Sequence, residues 1–260
     1  MDHHHHAHSH GHHQSGVGQK NQEHFDKVAA TVFDTPWIQK LCSQISDELR
    51  DQVDWIGFPK KNTENKENKE KKFRMLDYAC GNGLASRALA PYVDTIRGID
   101  ISSGMVEQYN MLAKKNGYDS SAMHAVHGDF VDARTNPSVD LNGPEFSDFD
   151  LIAMSMALHH VEDPKSLIKT LSRRLRGGGV LLIIDWVSAS ESGCSSAGPP
   201  AGEPVSHTVA CMGFERRQLD DWFANAGLKA FGWKWFSSQS ELPGEMGGLK
   251  QGFLARAMKA

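Results

Sequence analysis

Between residues 73 and 186 the chain alternates short apolar runs with amphipathic ones, and that alternation leaves few folds open. Residues 73–78 (FRMLDY), 94–101 (DTIRGIDI), 122–127, 150–154 and 180–186 (VLLIIDW) have the length and apolar content of buried strands. Residues 84–92, 103–116 and 164–175 carry helical patterns between them. Such a rhythm demands an α/β fold: a mostly parallel sheet covered on both faces, with right-handed crossovers. Further on, residues 215–226 predict a helix stopped at Gly227. Residues 230–236 and 252–258 predict two strands with no helix between them, which must pair antiparallel.

Ahead of the sheet, Phe25, Val28, Ala29, Val32 and Phe33, then Trp37, Ile38, Leu41, Ile45, Leu49 and Val53, recur at helical spacing and predict an amino-terminal helical cap. Residues 1–18 hold eight of the fourteen histidines and nothing that could bury a core. The expected organisation is therefore a disordered tail over residues 1–20 and one domain over 21–260. Within that domain, 21–58 form the cap, 59–72 a solvated Lys/Glu/Asn linker and 73–260 the core. Residues 188–205, rich in Ser, Gly and Pro, predict a long loop.

Charge and cysteine usage exclude several classes. A net charge of −4, without a strongly basic block, argues against a nucleic-acid partner. The longest apolar run, residues 180–184, is too short to cross a bilayer. Four widely separated cysteines give no zinc or disulfide spacing, so no metal site is expected and a reducing, cytoplasmic setting is. No obligate protein partner is evident.

Candidate chemistry gathers where strands end. Asp77-Tyr78-Ala79-Cys80-Gly81-Asn82-Gly83 closes the first strand and opens a helix. Gly81 and Gly83 allow a ligand close to the backbone, and the helix amino end offers free N–H groups. An aspartate beside the turn would repel a pyrophosphate and suits a ligand carrying an ammonium, and Ser86 stands where the dinucleotide fingerprint has its third glycine. Asp100, 17 residues after Gly83, ends the second strand where an acid can accept both ribose hydroxyls. Asp129 ends the third, placed to accept from an adenine amino group while Phe130 packs on the ring. Each aspartate alone is compatible with a turn or cap; three at successive strand ends converge on one crevice.

The ordered set LDYACGNG, GIDIS with Met105, HGDF, DLIAMSMALHHVEDP and LRGGGVLLIIDW resembles class I S-adenosylmethionine-dependent methyltransferases. It looks most like the branch that includes ubiquinone- and menaquinone-biosynthesis enzymes. The resemblance spans roughly residues 22–260 and implies a Rossmann-like, doubly wound seven-stranded sheet, mostly parallel, with its last strand inserted antiparallel. It implies S-adenosyl-L-methionine as cofactor and S-adenosyl-L-homocysteine as product. By the resemblance Asp77, Gly81 and Gly83 line the methionyl end, with Ala79, Asn82 and, after the fourth strand, Ser155 beside them. Asp100 holds the ribose, Ile101 and Met105 lie by the adenine, and Asp129 and Phe130 complete that site. The segment EHFDKVAATVFDTPW is similar to the family's cap, with Phe33 where a tyrosine is commoner.

The expected activity is methyl transfer to an O, N or S atom of a small-molecule acceptor. The alternatives are a protein acceptor, or a non-catalytic protein that binds the cofactor. A base is needed only where the acceptor carries a proton, and His159 and His160 are the candidates by intrinsic pKa. His160 equally suits packing beside the helix that begins near Pro164. Asp185 and His207 are weaker candidates. Trp37 and Trp186 suit either an acceptor pocket or the core. The amino-terminal helices and the 188–205 loop are expected to close over the acceptor.

Overall fold

The computed structural model describes residues 16–58, 72–188 and 208–260. The histidine run, most of the predicted linker, almost all of the 188–205 loop and His207 lie outside the described residues.

Three helices come first: α1 (Gly16–Val28), α2 (Pro36–Asp51) and α3 (Val53–Ile56). The core then runs β1 (Arg74–Tyr78), α4 (Leu84–Leu89), β2 (Thr95–Asp100), α5 (Ser103–Lys115), β3 (Met123–His127), β4 (Phe149–Ser155), α6 (Pro164–Arg174) and β5 (Leu175–Trp186). It closes with α7 (Arg216–Asn225), β6 (Leu228–Trp235), a two-residue hairpin of β7 (Ser240–Glu241) and β8 (Leu249–Lys250), and β9 (Gly252–Lys259). Seven strands form one sheet in the order β3-β2-β1-β4-β5-β9-β6, with β9 antiparallel to both neighbours. The expected insertion of the last strand is thus observed. Strand order reverses between β1 and β4, and ligands in open α/β sheets sit outside the carboxyl ends at such a point.

Side-chain alternation divides the core into two layers. From β1, Leu76 and Tyr78 pack with Leu167 and Leu171 of α6 and Phe223 of α7. Met75 faces the other way, onto Ile45 and Leu49 of α2, Leu89 of α4 and Tyr109 of α5. Both layers reach β5, where Ile183 and Ile184 are almost wholly enclosed; full burial of such a side chain is worth about 1.5–3 kcal/mol.

Four expectations need correction. Residues 16–20, expected in the tail, belong to α1. The helix predicted through Val53 breaks at Gln52, and a separate turn carries Trp55 onto the sheet, under Arg256 and Lys234. Strand β5 starts at Leu175 rather than 180: the glycine run resembles a turn in sequence, but a Cβ on Gly179 would lie 2.6 Å from the Phe149 carbonyl oxygen, so glycine there permits close strand approach. Cys211 is disulfide-bonded, which the cysteine spacing does not signal.

Candidate active site

One cavity of about 1100 Å³ opens over the strand reversal. Its floor is the turn after β1. Ala79 (φ 54°) and Gly81 (φ 50°) adopt the left-handed conformation, and across the reversal Met156 (φ 54°) does the same after β4. Left-handed alanine and methionine store strain, which commonly marks a functional turn. Asn82 also lines the cavity, and Phe33 from the cap stands over Gly81.

Gly83 is not among the residues lining the cavity. At φ 84° it precedes α4, and a Cβ there would meet the Tyr109 ring at 2.7 Å. Its missing side chain makes room for Tyr109.

Asp77 is 1% exposed; its Oδ2 accepts from the Ser86 backbone N–H (3.0 Å) and the Ser86 hydroxyl (2.7 Å). Ser86 also accepts from the Tyr109 hydroxyl at 2.8 Å. Burial pushes the Asp77 carboxyl up to about 7, against the hydrogen bonds from Ser86. Thus Ser86, which in sequence only breaks the dinucleotide pattern, steadies the aspartate.

Asp100 accepts from the Gly81 N–H (2.8 Å) through one oxygen and the Ser102 N–H (2.9 Å) through the other. Burial raises its pKa to about 6, opposed by those two bonds. Each oxygen keeps a lone pair for a ligand hydroxyl. Ile101 and Met105 line the wall beside it.

Asp129 accepts from the Tyr78 hydroxyl (2.5 Å) and the Val131 N–H through Oδ1, leaving Oδ2 without a partner among these bonds. Tyr78 stacks on Phe130 at 5.4 Å and 4°, and the Arg174 guanidinium lies 4.4 Å from the Phe130 ring centre. Tyr78 is a site residue absent from the sequence-based expectation. Its only signal was strand position next to Asp77.

The opposite wall holds a histidine–aspartate pair. His159 Nδ1 lies 2.7 Å from Asp185 Oδ1, and Asp185, fully buried, also accepts from the His159 and Trp186 backbone N–H groups. Donation from Nδ1 to a carboxylate leaves the lone pair on Nε2. The neighbouring His160 is committed elsewhere. Its Nδ1 lies 2.6 Å from the Thr208 carbonyl oxygen, and burial, aided by His159, holds its pKa well below the usual histidine value. Of the two expected bases, His159 has the better geometry for proton uptake.

Ser155 lines the cavity with a buried hydroxyl that has no partner among the described residues. Burial raises the Cys80 thiol well above its usual pKa, so it stays protonated. The remaining wall is mainly apolar, with Phe25 of α1, Trp37 and Leu41 of α2, Trp186, and Leu242 and Leu249 at the β7–β8 hairpin, interrupted by polar side chains such as His24, Thr208 and Lys250. The amino-terminal helices therefore border the cavity, as their position in the chain suggested.

Among the described residues no cluster of three or more His, Cys, Asp or Glu is placed to hold a metal ion, and no helix is long and apolar enough to cross a membrane.

Residues 76–183 match the family model described as a methyltransferase domain. The chain is 29% identical over 237 residues to an uncharacterized methyltransferase of Schizosaccharomyces pombe, covering 82% of this chain and 80% of that protein. It is 31% identical over 110 residues to a ubiquinone biosynthesis O-methyltransferase of Xanthomonas oryzae pv. oryzae, where the match spans 42% of this chain and 41% of the relative. Among solved structures, the magnesium protoporphyrin IX methyltransferase of Synechocystis PCC 6803, determined with bound SAM, superposes with a TM-score of 0.62 at 12% identity. That match covers 96% of this chain and all of the other, and indicates a shared fold.

Proposed function

We propose, from the match of residues 76–183 to a methyltransferase-domain model, that the chain transfers a methyl group from S-adenosyl-L-methionine to a protic oxygen or sulfur of a small, largely apolar acceptor. The single observation carrying the acceptor chemistry is the His159–Asp185 pair on the cavity wall.

The residues present fit the cofactor. The spare lone pairs of Asp100 suit ribose hydroxyls. Asp129 and the stacked Tyr78–Phe130 pair suit an adenine edge and face. The orphaned Ser155 hydroxyl and the open approach over Gly81 suit the methionyl portion. Bound there, S-adenosyl-L-methionine supplies an electrophilic sulfonium methyl and leaves as S-adenosyl-L-homocysteine.

The chain's own residues prepare the nucleophile. His159 Nε2 takes the proton of the acceptor O–H or S–H, and Asp185 holds the imidazole in the accepting tautomer and stabilises the imidazolium that results. The apolar wall from α1, α2 and the β7–β8 hairpin excludes water and favours a compact ligand over a protein segment.

Labelled cofactor and a panel of phenols, thiols and carboxylic acids test the reading. Transfer to at least one class is expected, with kcat falling about 10²–10⁴-fold in His159→Ala, the usual contribution of a positioned base. Equal rates in wild type and variant would remove the base. Cofactor binding without transfer to any acceptor would favour a non-catalytic role.

A further inference from the structure

Two buried polar atoms on the cavity wall lack a partner among the described residues: Ser155 Oγ and Asn21 Oδ1. A hydroxyl can turn to donate or accept, so Ser155 says little about its ligand. Asn21 says more. It is 3% exposed, on α1, and its amide nitrogen donates to the His160 carbonyl oxygen at 3.1 Å. Flipping the amide would set its oxygen against that carbonyl, so the observed orientation is fixed. Oδ1 accepts and cannot donate.

The amide is also held in place. Four residues on, Phe25 meets the His160 ring edge-on at 5.5 Å, and Asp26 accepts from the Ser102 hydroxyl (2.7 Å) and the Gly104 N–H (3.1 Å) at the start of α5. A rigid, buried, unpaired acceptor on a cavity wall is unfavourable unless a ligand completes it. Its location says which ligand. Asn21 lines the same cavity as His159. It hangs from the cap, tied to the residue that follows His159.

Resting on the methyl-transfer reading above, we propose that Asn21 is a specificity-determining residue for the acceptor: its Oδ1 receives a hydrogen bond from a second protic group, O–H or N–H, near the atom that gives its proton to His159. The acceptor class is thereby narrowed to apolar molecules with two neighbouring protic substituents at one end. One reacts; the other keeps its proton and orients the molecule.

Naphthalene-2,3-diol and 2-naphthol probe this directly. Their affinities are measured by calorimetry on protein saturated with S-adenosyl-L-homocysteine, for wild type and Asn21→Leu. The diol should bind wild type about tenfold more tightly than 2-naphthol, beyond the twofold statistical advantage of two hydroxyls. That preference should shrink to about twofold in Asn21→Leu, while homocysteine-nucleoside affinity is retained. The wild-type comparison alters only the ligand, so it stands even if the variant folds poorly. A diol preference of twofold or less in wild type, an undiminished one in the folded variant, or no saturable binding of either probe overturns the proposal. A variant that loses S-adenosyl-L-homocysteine affinity also overturns it, by assigning Asn21 to the cofactor. Wild type that fails to bind S-adenosyl-L-homocysteine at all overturns the methyl-transfer reading itself.

Discussion

Tyr109, Ser86 and Asp77 form a chain of buried hydroxyl donors ending on a carboxylate: Tyr109 donates to Ser86 at 2.8 Å and Ser86 to Asp77 at 2.7 Å. In Ser86→Ala the carboxylate keeps only a backbone donor, and the tyrosine hydroxyl loses its acceptor. Leaving such groups unsatisfied costs about 1–3 kcal/mol, so the melting temperature should fall by several degrees. Thermal unfolding of the variant checks this, and an unchanged midpoint would show that the chain carries no stability. At this scale the sequence told much and missed much. Asp77, Asp100 and Asp129 were legible because an acidic side chain at a strand's end is a local pattern. Tyr78, Asn21 and the His159–Asp185 pairing were not, since each depends on partners from 26 to 139 residues away. Gly83 was legible as a glycine turn, but its reason, the Tyr109 ring, was not.

Cap and core meet through polar stitches as well as apolar contacts. On α2, Lys40, Gln44 and Glu48 recur every four residues and reach Glu241, Ser238 and Ser237 in turn, with Gln52 just beyond the helix receiving Lys234. The adjoining face turns Trp37, Leu41 and Ile45 toward the cavity. On α1, Asp26 reinforces the start of α5, where Ser102 already accepts from the Met105 N–H. Asp26→Ala should cost about 0.5–2 kcal/mol, the range for a lost helix cap. It should speed amide exchange across residues 16–28 while leaving β1 and β5 unaffected. Exchange in α1 as slow as in wild type would mean that other contacts hold it. Most elements were readable from period alone, because long amphipathic helices and buried strands write their burial into the sequence. The start of α1 was not, as residues 16–20 are glycine, valine and polar groups with no apolar stripe. The β7–β8 hairpin was not either, since two-residue strands have no period to detect.

Across the whole molecule, strand order sets where the cavity opens. The reversal between β1 and β4 opens the crevice, and the strand ends bring Asp77, Asp100 and Asp129 to one side of it. The cap, Trp186 and the β7–β8 hairpin add mainly apolar surface, with His159, His160 and Asn21 among the polar side chains that also line the cavity. Under the proposed function the strand-end aspartates take the nucleoside and His159 faces the acceptor, which is the division a group transfer requires. The measurement that tests this most directly is calorimetric titration with S-adenosyl-L-homocysteine at pH 8. There Asp77, with a pKa of about 7, and Asp100, at about 6, are mainly ionised and able to accept. Saturable one-site binding is expected, weakened by about 1–3 kcal/mol in Asp100→Ala, the cost of leaving ligand hydroxyls without their acceptor. No binding, or an affinity that Asp100→Ala leaves unchanged, would contradict the account.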